Sequence, residues 1–159
     1  MPIEPDLPLA AALLDTLRSE SSDGEGVTRD TYGAGEQRAH ATLAAAARAL
    51  GLEVRTDAAM NLYMTLPGRD RAAPVRMTGS HLDSVPRGGN FDGAAGVVAG
   101  LAVLAGWRHA GRTPAADLTT MAIRAEESAW FPVSYIGSKA AFGQLPAAAL
   151  DARRQNAGE

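Results

Sequence analysis

Segments with a helical period alternate along this chain with segments of period two, and that alternation restricts it to an α/β fold. Ala10, Leu13, Leu14 and Leu17 share one helical face, and Ser21 to Gly26 (SSDGEG) has the composition of a loop. A second helix is expected from about Gly35 to Leu50, where Leu43, Ala46, Ala47 and Leu50 recur at helical spacing and Gly51 supplies a stop. Leu52-Glu53-Val54 and Leu62-Tyr63-Met64-Thr65-Leu66 then alternate as strands, the second closed by Pro67-Gly68. Val75 and Met77 mark another strand, which runs into Ser80-His81-Leu82-Asp83. Asp92 to Ala110 reads as a buried, alanine-rich helix, and Leu118 to Ala125 as a strand leading into Glu126-Glu127. Short helices are expected from Ser138 to about Phe142 and after Pro146. The pattern as a whole predicts an α/β sandwich around a mixed sheet.

The length of 159 residues suits one domain with its own core. With 46% hydrophobic and 21% charged residues and a net charge of −3, the chain has no dense basic stretch for nucleic acid or an anionic membrane. The opening MPIEPDLPLAAALLDTLRSE lacks the basic start and unbroken apolar run of a secretory signal, and no window is apolar enough to span a bilayer. A cytoplasmic protein is expected. Cysteine is absent, so any metal must be held by His, Asp and Glu, which suits Zn, Mn, Co or Ni.

The chemistry concentrates in GSHLDSVPRGGNFDGAAG, Gly79 to Gly96, and in Glu126-Glu127. His81 offers an imidazole nitrogen to a metal, and Asp83, two residues on, is placed to accept the other ring N–H and fix the tautomer. Asp92 follows a glycine-rich turn and precedes Gly93; its two oxygens can bridge a pair of metal ions, and it is also an N-cap candidate for the helix that follows. Adjacent residues leaving a strand point in different directions, so Glu126 and Glu127 can divide two roles, one binding metal and the other taking a proton from water. Both His81 and the Glu-Glu pair stand at carboxyl ends of strands, where ligands of open α/β sheets collect.

GSHLDSVPRGGNFDGAAGVVAGLAVL and AEESAWFPVSYIGSKAAFG resemble the metal-binding segments of the amidase, hydantoinase/carbamoylase family. This group includes N-carbamoyl-L-amino-acid hydrolases, allantoate amidohydrolases and β-ureidopropionases, within the aminoacylase/carboxypeptidase metallohydrolases. The upstream GVTRDTYGAGEQRAHATLAAAARALGLEVRTDAAMNLYMTLPG is also similar, so the likeness covers nearly all of the chain. The resemblance implies a zinc-exopeptidase-like domain in truncated form and hydrolysis of a linear C–N amide or ureido bond in a small N-carbamoyl or ureido amino acid. It implies two divalent ions, with His81 on one, Asp92 bridging both, Glu127 on the other, Glu126 as general base and Asp83 supporting His81. Residues 1–159 would be the N-terminal part of the catalytic domain, without the dimer-forming domain and the C-terminal catalytic segment of these typically homodimeric proteins.

The family uses further histidines downstream of the Glu-Glu pair; the other histidines here, His40 and His109, match neither and read as helix-surface residues. A non-catalytic fragment with weak or no metal binding, a di-zinc aminopeptidase or deacylase, and a chain that pairs through an exposed sheet edge are the competing readings. Ser128-Ala129-Trp130 departs from the small, glycine-containing stretch of the family. Trp107 and Trp130 are assigned to the core and Gly137-Ser138 to a helix cap, while Arg29 and Asn61 have no local assignment.

Overall fold

In the computed structural model, which describes residues 2–155, the expected elements form in the expected order. Two helices come first, α1 (Leu7–Ser21) and α2 (Ala34–Ala49), then strands β1 (Glu53–Thr56), β2 (Leu62–Leu66) and β3 (Arg76–His81). Helix α3 (Ala94–His109), strand β4 (Leu118–Ile123), the short α4 (Ile136–Ala141) and a 3-10 turn (Ala147–Asp151) complete the chain. Asp6 caps α1, its carboxylate accepting the Leu9 N–H at 2.9 Å, with Pro8 in the first turn where its missing donor costs nothing.

The sheet is mixed, as expected, with strand order β1-β2-β4-β3. β1 and β2 run antiparallel, as do β2 and β4, whereas β3 and β4 are parallel and joined through α3. Leu62, Met64 and Leu66 of β2 lie opposite Ala122, Thr120 and Leu118 of β4. This face meets the helices in one apolar core that draws in Leu13 and Leu17 of α1, Leu43 and Ala47 of α2, and Val97, Val98, Leu101 and Leu104 of α3. Each fully buried leucine contributes on the order of 2 kcal/mol. Helix α3 approaches the parallel strands closely because glycine faces them: a Cβ on Gly100 would stand 2.6 Å from Thr120 Oγ1 and 3.0 Å from Thr78 Cγ2. Among the described residues β3 forms an edge of the sheet, with Val75, Met77 and the α3 residue Val103 exposed beside it. No helix of the described residues is long and apolar enough to cross a membrane.

Several side chains depart from the sequence reading. Trp130 is buried as expected, its indole N–H bonding the Ser84 carbonyl at 2.8 Å, and Trp107 packs against the core. Gly137-Ser138 does not cap α4: the cap position is Tyr135, and the Ser138 hydroxyl donates to the Tyr135 carbonyl at 3.2 Å from inside the helix. Gly137 instead lies flush against the end of β4, its N–H on the Arg124 carbonyl at 3.0 Å. His109 is exposed near Asp6, but His40 is not a surface residue. It is 4% exposed, on the α2 face that also carries Glu36, Leu43 and Ala47, and neither ring nitrogen has a hydrogen-bond partner.

Burial, with the nearby Arg124 charge, holds the His40 imidazole down at about 3 from its ordinary 6.5. The fold therefore favours neutral His40, and the unfolded chain takes up the proton first as pH falls. The stability this residue allows is complete above 6.5 and is lost between 6.5 and 3. Comparing wild type with His40→Leu by urea unfolding should show the wild type losing more stability on acidification, by about 2 kcal/mol at pH 5 relative to neutral pH.

Candidate metal centre

The two parallel strands end side by side. His81, the last residue of β3, pairs in register with Ile123, the last of β4, so the segments after each strand leave from one edge of the sheet. After β3 the chain turns in through Leu82 and Asp83, both fully buried. After β4 it passes through Arg124 and then Ala125, whose φ of +54° is left-handed and costs roughly 1 kcal/mol for a residue with a Cβ. The Glu126 and Glu127 N–H groups of this turn face inward.

Asp83 receives them. Its Oδ1 accepts the Glu126 N–H and its Oδ2 the Glu127 N–H, each at 3.1 Å, and Oδ2 also accepts the Thr31 hydroxyl at 2.6 Å. His81 Nδ1 lies 3.3 Å from Oδ1 and 3.0 Å from the Asp83 carbonyl oxygen. Asp83 thus lies against His81, and the same carboxylate also ties down the Glu-Glu turn. Burial alone would raise the Asp83 carboxyl, but His81, Thr31 and the Glu126 amide outweigh it and hold it below the ordinary carboxylate value. Burial likewise disfavours charge on His81, yet Asp83 and then Glu126 carry the imidazole up to about 9. Glu127 is raised, first by burial and then by the neighbouring Glu126 charge.

With Nδ1 turned to Asp83, Nε2 faces the carboxylates. His81, Glu126 and Glu127 each present one donor atom, all within 4.8 Å of one another. Glu126 and Glu127 therefore converge, where the sequence reading has them pointing apart. The reason is the left-handed turn at Ala125, which ends the strand alternation before the pair begins. Asp92 stands at the margin of this group. Its Oδ1 is 3.8 Å from His81 Nε2, as is Glu126 Oε2, and its side chain is 66% exposed. It does not cap α3; the cap position is Gly93, and no side chain accepts from the helix start. Gly93 has φ +64° and lies against the imidazole, so that a Cβ there would stand 2.6 Å from the ring.

Sequence reasoning left four residues around this site without a role. Arg29 is fully buried: its Nε donates to the Leu82 carbonyl at 2.6 Å, and its guanidinium reaches Asn90 and the Asp92 carbonyl at 3.4–3.5 Å, joining the strand exit to the glycine-rich turn. Asn61 accepts the Arg124 N–H at 2.9 Å and donates to Asp57 and Gly137. Thr31 and Glu36, both buried, complete the layer beneath the site. The one signal for Glu36 is its position on the apolar face of α2, in helical step with Leu43 and Ala47.

Comparison with known proteins places the chain in a family. Residues 61–154 match the model of peptidase family M28. The N-carbamoyl-L-amino acid amidohydrolase of Geobacillus stearothermophilus is 42% identical over 128 residues, which cover 80% of this chain and 31% of that protein. The allantoate amidohydrolase of Bacillus subtilis (strain 168) is 36% identical over 118 residues, 74% of this chain and 28% of that protein. Among solved structures, a hydantoinase/carbamoylase family amidase from Burkholderia ambifaria superposes with a TM-score of 0.91 at 31% identity, covering 98% of this chain and 38% of that one. The chain spans about a third of the length of these curated relatives. It belongs to peptidase family M28 and is a relative of the hydantoinase/carbamoylase amidases.

Proposed function

We propose that this chain carries part of a two-metal centre for hydrolysis of a linear C–N amide or ureido bond, in a small substrate of the N-carbamoyl-amino-acid or allantoate type. The observation that carries the reading is the convergence of His81, Glu126 and Glu127 over the buried Asp83 carboxylate. One nitrogen and several carboxylate oxygens, with no thiolate in the chain, fit a divalent ion such as Zn, Mn, Co or Ni. His81, Asp92 and Glu127 would hold the metal, with Asp92 in the bridging role. Bound ions of this kind polarise a carbonyl and make water a nucleophile near neutral pH.

The protein's own groups account for the rest. Asp83 fixes the His81 tautomer so that Nε2 faces the donors. Glu126, on the same side of the ring, takes a proton from the attacking water and delivers it to the leaving nitrogen. The N-carbamoyl-L-amino acid and allantoate amidohydrolases among its relatives support carbamoyl and allantoate substrates, while the M28 match supports a second reading, cleavage of an aminoacyl or peptide amide by the same residues.

Titration of the purified chain with Zn²⁺, Mn²⁺, Co²⁺ and Ni²⁺, followed by elemental analysis, tests the metal reading. Saturable binding is expected, weakened at least tenfold in His81→Ala and Asp92→Ala; equal uptake by all three proteins would reject the assignment. Glu126→Gln should retain the metal and lower kcat for whatever hydrolysis the chain supports by ~10²–10⁴. Release of ammonia from N-carbamoyl-L-amino acids or allantoate, against release of amino acid from dipeptides, separates the two substrate classes. Gly93→Ala places a methyl against the imidazole and should weaken metal binding while lowering stability by roughly 1–3 kcal/mol, read by titration and by urea unfolding.

A further inference from the structure

Three consecutive amides hold the Glu126-Glu127 turn in place, and Asp83 accounts for only the second and third. The first, the Ala125 N–H, goes to Glu36, whose Oε1 accepts it at 3.0 Å. Glu36 is fully buried in the first turn of α2, far from Ala125 in sequence. Its second oxygen accepts the Tyr32 N–H at 2.6 Å and lies 3.2 Å from Arg124 Nη1. Arg124 is held in turn by the Met60 carbonyl at 3.1 Å and Gln37 Oε1 at 2.7 Å.

We propose that Glu36 is a positioning residue for the metal centre: it pins Ala125 in its left-handed conformation, so that Glu126 and Glu127 emerge facing His81. The inference rests on the reading of His81 and Glu127 as metal donors with Glu126 as the base, and extends it to a side chain that touches none of them. Ala125 is the residue at which the chain abandons strand geometry. A non-glycine residue holds such a conformation only where its surroundings over-determine it. The Glu36 hydrogen bond and the Asp83 contacts on the next two amides supply that determination on the N–H side, and the Ile136 N–H on the Ala125 carbonyl at 2.9 Å supplies it on the other.

The chemistry also explains why a carboxylate stands here. Both oxygens of Glu36 face donors: two backbone N–H groups and a guanidinium. A glutamine of the same shape has one acceptor oxygen, and its amide nitrogen would confront a donor on one side. With its carbonyl on Tyr32 and Arg124, it leaves Ala125 without a partner.

Backbone amide exchange in the metal-free full chain and Co²⁺ titration test this separately, in wild type, Glu36→Gln, Gln37→Ala and His81→Ala. In Glu36→Gln, exchange at Ala125, Glu126 and Glu127 should accelerate tenfold or more while amides of α2 and β2 keep their protection. Co²⁺ affinity should fall about tenfold, with a changed visible absorption spectrum. Gln37→Ala, which removes a different partner of Arg124, should leave both unchanged. Equal acceleration in Gln37→Ala would mean that Glu36 acts only by holding Arg124, and would overturn the proposal. So would unchanged exchange at Ala125 in Glu36→Gln, or an Ala125 amide that exchanges freely in the wild type, a check that needs no variant. Co²⁺ binding that is identical in wild type and His81→Ala, together with the selective exchange effect, would reject the metal reading and leave the tether to Ala125 supported.

Discussion

The structure around the site depends on one buried carboxylate. Asp83 meets the His81 ring, the Thr31 hydroxyl and the Glu126 and Glu127 amides, so a single side chain joins the end of β3, the loop before α2 and the turn after β4. A charge placed out of water costs several kcal/mol unless it is fully partnered. Here every approach to the carboxylate is occupied, and that requirement fixes where three distant pieces of chain must sit. Losing any partner leaves either the charge or an inward-facing amide unsatisfied. The same contacts that make Asp83 tolerable in the core therefore aim His81 Nε2 and the two glutamates at one another.

This arrangement is possible because β3 and β4 are neighbours and parallel. Parallel pairing puts both carboxyl ends on one edge, and α3 must cross the face of the sheet to connect them. The crossing is close, with Gly100 against Thr120 and Thr78, and the cap residue of α3, Gly93, lies against the His81 ring. Small residues thus serve packing in the middle of α3 and the site at its start. Beneath the site lies a second polar layer of Glu36, Arg124, Asn61 and Arg29, each with several partners. Burial and the Asp83 charge push Glu36 up to about 7 against the pull of Arg124 and two amides, a measure of how crowded this layer is with carboxylates.

The elements themselves were legible. Period-two runs gave strands within a few residues of those found, and Asp92 to Ala110 forms α3 from Ala94. Boundaries shifted where the backbone did something local: β4 stops at Ile123 because Ala125 turns left-handed, and α4 starts at Ile136 after a left-handed Tyr135. Neither residue is glycine, asparagine or aspartate, so composition carries no sign of these turns. His40 misled for a related reason. A histidine flanked by alanines on a helix reads as surface, and only the packing of α2 over β1 and β2 shows that its face is covered.

By itself, the sequence determined the α/β class, the order of elements, and the residue types available for chemistry: His81, Asp83, Asp92 and the adjacent glutamates at strand ends. These follow from periodicity and side-chain chemistry, which are local. Tertiary structure alone decided the strand order, the convergence of Glu126 and Glu127, the marginal place of Asp92, and the buried partners Thr31, Glu36, Arg29 and Arg124. Each of these turns on hydrogen bonds between residues tens of positions apart. A buried polar group is stable only where its partner arrives, and which partner arrives is set by how the whole chain packs.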